Sequence, residues 1–295
     1  MTMHYRQIIV KAVFGLVAVL GLCSIAGPAF AEGANMTYAV GDITVISMED
    51  ARGSMEERLF PDAQGDTAKL EMLPAPSSVN TFLVKTGGKL VLIDAGWGKD
   101  GRVQGRMLEC LAAEGISAEA IDIVLITHMH GDHISGLLAD GKPVFTRAEV
   151  RIAQQEFSSW VEQKVGPEQG VALATAVATA YGDNIKTFAF GDTVAEGIEA
   201  HAAVGHTPGH TAYSIASNGQ SLLVAGDFLH ASHLQAAYPE ISSIYDMDPA
   251  QAATTRRALL QDLATENIPV AGMHIPDGGV RTVKTFGTGF VFESR

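Results

Sequence analysis

The stretch Thr127-His128-Met129-His130-Gly131-Asp132-His133 constrains this chain more than any other. Four side chains able to bind a metal fall within it, and the apolar run Ile121 to Ile126 leads straight in. A strand sends alternate side chains to one face, so His128 and His130 at a strand end point the same way and are placed to grip one ion. Gly131 permits a sharp turn that brings Asp132 and His133 round beside the first pair. Imidazole and carboxylate are the ligand types of zinc and its neighbours, and two ligand pairs so close point to two ions. The spacing is not that of a helical zinc protease, whose His-Glu-x-x-His ligands lie one turn apart.

The rest of the chain reads as an ordinary globular protein. Its 295 residues are 47% hydrophobic and 18% charged, enough for one large domain or two small ones. The net charge of -13 opposes a nucleic-acid partner, because affinity for a phosphate backbone depends on a broad basic surface. Residues 1–31 have the form of a signal peptide: Arg6 and Lys11, then an apolar run from Ala12 to Gly27, then Ala29-Phe30-Ala31 for the peptidase. That run is shorter than the roughly 20 residues of a spanning helix. Leu22 before Cys23 also lacks the small residue of a lipoprotein signal. Residues 32–295 are therefore expected to form a single domain, periplasmic or secreted, with no stable membrane anchor. Cleavage removes two cations and no acid, and it leaves Cys110 as the one cysteine, so no internal disulfide forms. The helix-like surroundings of Cys110 give it a buried apolar role.

Alternation and turn signals predict strands at residues 42–48, 80–85, 89–94, 121–126, 143–146, 198–203, 213–217, 221–225 and 269–271. Helices are predicted at 101–115, from Ile134, at 147–160, 171–181 and 249–266. Gly87-Gly88 and Asn218-Gly219 mark hairpins. Residues 49–77 show no sustained period and read as an irregular arm, with Leu59, Phe60, Met72 and Leu73 available to wall a pocket or pack on a partner subunit. Asp94, at a strand end before Gly96, is suited to bonding backbone N–H groups and holding a loop. The remaining candidate ligands each follow a strand: His206 within Gly205-His206-Thr207-Pro208-Gly209, Asp227 after Gly226, and His274 after Gly272-Met273. Strand ends followed by loops are where α/β proteins place their chemistry.

Taken in order, Asp94 with Gly96, His128-x-His130-x-Asp132-His133, Gly205 to Gly209, Gly226-Asp227 and His274 resemble the motifs of the metallo-β-lactamase superfamily, over essentially all of the chain after residue 31. The resemblance implies an α/β fold, a four-layer αβ/βα sandwich of two mixed β-sheets flanked by helices. It implies two divalent metal ions, zinc first, with Mn, Fe and Co accepted by the same ligands. His128, His130 and His206 would hold one ion and Asp132, His133 and His274 the other, with Asp227 bridging. His210 and His201 are read as hydrogen-bonding or surface residues.

Asp227 stands where true β-lactamases typically carry Cys or Ser, which argues against antibiotic hydrolysis. His130 stands where flavodiiron proteins carry Glu. Glyoxalase II, the persulfide dioxygenases and ribonuclease Z share much of the ligand set. Gly226-Asp227-Phe228-Leu229-His230 with Gln235, and Gly272-Met273-His274-Ile275-Pro276, look most like the methyl parathion hydrolase and quorum-quenching lactonase branch. The resemblance thus implies an exported dinuclear hydrolase in which a metal-bridging hydroxide attacks a lactone, ester or organophosphate. Asp132 and Asp227 set the charge of the centre, and His230, where lactonases often carry a Tyr that contacts substrate, is read either as donating a proton or hydrogen bond there or as a non-catalytic support. The competing readings are a mononuclear iron enzyme resembling persulfide dioxygenase and a non-catalytic metal-binding protein. A small-molecule substrate, no nucleic acid and a homodimer complete the expectations.

Overall fold

The computed structural model describes residues 35–99 and 103–294, so the signal-peptide reading of residues 1–31 lies outside the described residues. The first sheet begins with β1 (Met36–Val40), β2 (Ile43–Met55), β3 (Ala75–Thr86), β4 (Lys89–Ile93) and β5 (Ile123–Ile126). A separate two-stranded ribbon, β6 (Leu138–Ala139) and β7 (Lys142–Pro143), precedes its last strands, β8 (Glu149–Ala153) and β9 (Ile185–Phe188). The second sheet holds β10 (Thr193–Ala195), β11 (Ile198–Ala202), β12 (Thr211–Ser217), β13 (Gln220–Val224), β14 (Val270–Ala271), β15 (Val280–Phe286) and β16 (Gly289–Ser294). Both sheets are mixed. β4, β5, β8 and β9 run parallel in the first, and β13 and β14 in the second, with antiparallel pairing elsewhere.

Alternation decides which residues fill which layer. Ile123 and Leu125 of β5 face the other sheet, while Val124 and Ile126 face the helices. Such a strand, covered on both sides, reads as one continuous apolar run. Between the sheets, Val45, Phe82, Val91, Ile93 and Leu125 meet Tyr213, Ile215, Leu222 and Val224. The outer face of the first sheet packs on α2 (Met107–Ala113) and α5 (Glu168–Tyr181). That of the second packs on α7 (Pro249–Glu266) through Leu259, Leu260 and Leu263. Burying one such side chain stabilises the fold by about 1.5–3 kcal/mol. The layers are thus helix, sheet, sheet, helix, the sandwich that the sequence resemblance implies. α7 has the predicted bounds, with Asp248 accepting from the Gln251 N–H at its start and Asn267 left-handed at its end. Among the described residues no helix is long and apolar enough to cross a membrane.

Several expectations are corrected. Residues 49–77 are not irregular throughout, because β2 runs on to Met55 and pairs with β3 from Ala75. The register shifts between Glu49 and Ala51, so Asp50 sits at a bulge that breaks the alternation and hides the strand. The tip of this arm is made of short turns and α1 (Thr67–Leu70), packed through Leu59, Phe60 and Ala63 on α6 (Ser232–Ala237) and Ile241. The predicted helix at 147–160 is a strand first: Val150 and Ile152 are buried while Glu149 and Arg151 are half-buried, the period of β8, and only then come α4 (Gln154–Phe157) and a π turn, Ser158–Glu162. The strand predicted at 143–146 shrinks to Lys142–Pro143, because Phe145 turns into the helix-side core. The helix predicted at 101–115 is confined to Met107–Ala113. β1, β9, β10, β15 and β16 stand where the sequence reading assigned nothing.

The bulge has a structural use. α2 has no side-chain cap of its own, and Asp50 supplies one from the sheet: its carboxylate accepts from the N–H groups of Met107 and Trp97, both at 2.8 Å. Asp50 is fully buried. Replacing it by Ala leaves two buried N–H groups unpaired, so Asp50→Ala is expected to destabilise the fold by about 2–4 kcal/mol. Urea unfolding of the purified variant measures the loss; a change below about 0.5 kcal/mol would show that Asp50 does not hold this loop.

Candidate metal centre

The ligand-bearing turns begin where strands of both sheets end. β5 delivers His128, His130 and α3 (Gly131–Ile134), which carries Asp132 and His133. From the second sheet come His206 between β11 and β12, Asp227 after β13, and His274 after β14. Gly226, at φ +59°, could not be another residue, since a Cβ there would lie 2.3 Å from His210 Nε2. The two sheets are stitched at this end: Tyr213 Oη donates to the Ile126 carbonyl at 2.6 Å and the Thr211 N–H to that of Thr127 at 2.9 Å.

Every candidate ligand read from the sequence is brought to one place. His128, His130 and His206 form one group able to hold an ion, and Asp132, His133, Asp227 and His274 form another. In the first, His128 Nε2 lies 3.1 Å from both His130 Nδ1 and His206 Nε2, and the last two are 2.9 Å apart. In the second, Asp227 Oδ2 lies 2.9 Å from His274 Nε2 and 3.3 Å from His133 Nε2, and Asp132 lies 3.6 Å from His133 and 3.5 Å from His274. The same Asp227 oxygen is 3.8 Å from His128 Nε2 and 3.6 Å from His206 Nε2, so it faces both groups.

This donor set fits cations. Three imidazole nitrogens so close cannot all hydrogen-bond to one another. Their spacing is near the roughly 3.3 Å between two ligands that sit about 2.0–2.1 Å from one tetrahedral ion. Asp227 Oδ1 and His133 Nε2 are buried with no hydrogen-bond partner, an expensive arrangement unless something positive satisfies them. Burial holds His128 and His206 well below the usual imidazole range and His130 down to about 4, so each is neutral and offers a lone pair. Burial alone would raise Asp227, but the imidazoles of His133 and His274 outweigh it and keep the carboxylate ionised.

Outer bonds fix which nitrogen faces inward. Asp94 Oδ2 accepts from His133 Nδ1 and from Thr127 Oγ1, both at 2.7 Å, and its Oδ1 accepts from the Thr127 N–H at 2.8 Å. Thr127 Oγ1 in turn lies 3.1 Å from His128 Nδ1. His206 Nδ1 donates to Asp246 at 2.9 Å, and Asp246 is held by Arg256 Nη2 at 3.1 Å. His274 Nδ1 donates to the Ser78 carbonyl at 2.7 Å. In each case Nδ1 is committed outward and Nε2 turned inward, the arrangement of a metal-ligating His.

His230 differs. Its Nε2 is 3.4 Å from Asp227 Oδ2, and it forms a third group with His206 and Asp227, yet its Nδ1 is buried without a partner. Its ring stacks on His274, with centroids 5.1 Å apart, and its backbone N–H donates to Gln235 Oε1 at 2.7 Å. His210 donates from Nδ1 to the Ala203 carbonyl and accepts the Asp227 N–H on Nε2, supporting the ligand backbone. His201 lies on β11, bonded to Ser214. Asp246, Arg256 and Ser78 escaped the sequence reading, because their partners lie 40, 10 and 196 positions away and leave no local pattern.

Removing an outer acceptor from a ligating His typically costs 10–100-fold in metal affinity. Asp246→Asn is expected to weaken zinc binding by about 10–100-fold. Competition with a chromophoric chelator reads this directly, and affinity within twofold of wild type would show that Asp246 does not support an ion. Stripping with dipicolinate is expected to lower the thermal midpoint of the wild type, and adding zinc back to restore it.

A family model described as the metallo-beta-lactamase superfamily matches residues 74–266. Among solved structures, hydrolase AbOPH of the beta lactamase superfamily is 28% identical with a TM-score of 0.80, covering 89% of this chain and 98% of its own. AidC, described as a dizinc quorum-quenching lactonase, is 24% identical with a TM-score of 0.81, covering 89% and 97%, and shows the likeness of fold. Ribonuclease Z of Mycobacterium sp. (strain KMS) is 36% identical over 103 residues, 35% of this chain and 31% of that protein, so the chain spans about a third of the length of the curated relatives it matches. The family model spans the cluster from His128 to Asp227, and the two sheets and their helices have the family's layers: the chain belongs to the metallo-beta-lactamase superfamily.

Proposed function

We propose that the protein is an exported dinuclear metal hydrolase, a single domain over residues 32–295, that acts on an uncharged lactone, ester or phosphotriester. The observation that carries this reading is the meeting of two ligand groups on one carboxylate, Asp227, whose Oδ2 lies within 3.8 Å of imidazoles from both. Two divalent ions, zinc in the first instance, would bring the pKa of water toward neutrality there and polarise the carbonyl or phosphoryl oxygen under attack. His128, His130 and His206 would hold one ion and Asp132, His133 and His274 the other. Asp132 and Asp227 offset part of the ions' positive charge, leaving an electron-poor centre.

In the hydrolysis, an oxygen from water bonds to the carbonyl carbon or phosphorus, the bond to the leaving oxygen breaks, and that oxygen must take a proton. The attacking water supplies that proton, and His230 is placed to hydrogen-bond the leaving oxygen as it departs. With Nδ1 buried and lacking an acceptor, the lower-energy tautomer carries its proton on Nε2, which faces Asp227. Tyr245 is 44% exposed with its ring 5.6 Å from that of His230, so it stands beside this side of the site.

The ribonuclease Z likeness raises a nuclease reading. The net charge of -13 disfavours it, and Arg256, which holds Asp246, is buried rather than facing a substrate. An uncharged substrate meets no such repulsion.

The purified mature protein is expected to hold close to two ions per chain, and Asp227→Ala to lose at least one of them with most of the activity. A fully active single-ion protein would sink the mechanism. A panel of lactones, aryl esters, phosphotriesters and a structured RNA, run with defined metals, separates the substrate classes; turnover confined to RNA would overturn this reading. His230→Phe is expected to lower kcat by about 100-fold with ion content unchanged, the range of a lost hydrogen-bond donor to the transition state. Loss of an ion in that variant would instead mark His230 as a ligand.

A further inference from the structure

A second fully buried carboxylate, besides Asp50, lies outside the ligand set and outside the outer bonds described above. Glu156, in α4, is completely enclosed, and it receives three hydrogen bonds. Oε1 accepts from the Met129 N–H at 2.9 Å, and Oε2 accepts from Thr207 Oγ1 and from the Gly209 N–H, both at 2.8 Å. Met129 is the residue between His128 and His130, and Thr207 and Gly209 follow His206. One side chain therefore ties together the two turns that present the three imidazoles of the first group. The fit leaves no slack, since a Cβ on Gly209 would lie 2.1 Å from the Glu156 backbone nitrogen. The π turn that follows sets Trp160 against the His130 ring, edge to face, with centroids 5.4 Å apart.

The second group is braced by other residues: Asp94 holds His133, and Ser78 holds His274. We infer that Glu156 is a positioning residue that sets the geometry of the first ion site, His128, His130 and His206, separately from the second. All of its partners are donors and none accepts, so the site is built for a carboxylate. Burial pushes the group up to about 7 against the pull of those donors. In Glu156→Gln the amide NH2 must face at least one of the two backbone N–H groups, which turns the attraction at that turn into a repulsion while leaving the side chain's shape unchanged.

The inference rests on the two-ion reading, and the test separates the two. Metal-free wild type and Glu156→Gln are titrated with cobalt(II), following the visible absorption bands of the bound ion and competing with a chelator. Two binding steps in the wild type support the two-ion reading. In Glu156→Gln one step is expected to weaken by about 10–100-fold with an altered cobalt spectrum while the other stays within about twofold. Both steps unchanged, or both weakened alike, would overturn the role. If the wild type takes a single ion, the two-ion reading falls, and Glu156 is then judged on that ion: unchanged affinity and spectrum overturn its role. Should Glu156→Gln fail to fold, Thr207→Val removes one donor and keeps the carboxylate, with a smaller shift of the same step expected and no shift overturning the inference.

Discussion

Five imidazoles, those of His128, His133, His206, His230 and His274, place a nitrogen within 3.8 Å of a single oxygen, Asp227 Oδ2. Nothing so polar is tolerated in a protein interior unless each group is held and compensated. The ligands come from both sheets, so the cluster exists only when the sandwich is closed. The bonds that close it gather at the same end. Besides the Tyr213 and Thr211 links, Asn80 and Ser78 of β3 donate to the carbonyls of Gly272, Met273 and Ile275 around His274. Closure of the fold and assembly of the cluster are in this sense one event.

Within the cluster, what distinguishes one His from another is the bond on its far side. His128, His133, His206 and His274 each have a fixed neighbour at Nδ1, which commits the tautomer before any ligand arrives. His230 faces the same carboxylate but has no such commitment. Proximity alone would have grouped all five; the outer bonds set four apart as suited to hold an ion and leave His230 without that commitment.

Much of the centre could be read from the sequence because its signals are local. Gly131 between ligand pairs, the Gly205 to Gly209 turn and Gly226 before Asp227 all lie next to the residues they position. Strands were legible where an apolar run was unbroken and met a turn signal, as in β5 and β13, and were missed where something interrupted the pattern. The bulge at Asp50 disguised the far half of β2, and Phe145 ended a predicted strand by turning into the core. The supporting residues were least legible. Glu156 meets Met129 across 27 positions and Gly209 across 53, and Asp246 meets His206 across 40, so no window along the chain contains both partners. Nothing in the composition of these segments marks the carboxylates as different from surface acids.

The segment from Tyr238 to Asp248 carries two things at once. Tyr245 stands beside His230, and the segment is joined to the arm by the Ile244 N–H on the Leu59 carbonyl and the Ser242 N–H on Asp62, while the next residue, Asp246, steadies His206. Remodelling this loop for a different substrate therefore risks demetallation with every residue exchanged. Successful lineages and engineered libraries alike should vary the arm tip and residues 244 and 245 freely while leaving Asp246 and its Arg256 anchor untouched.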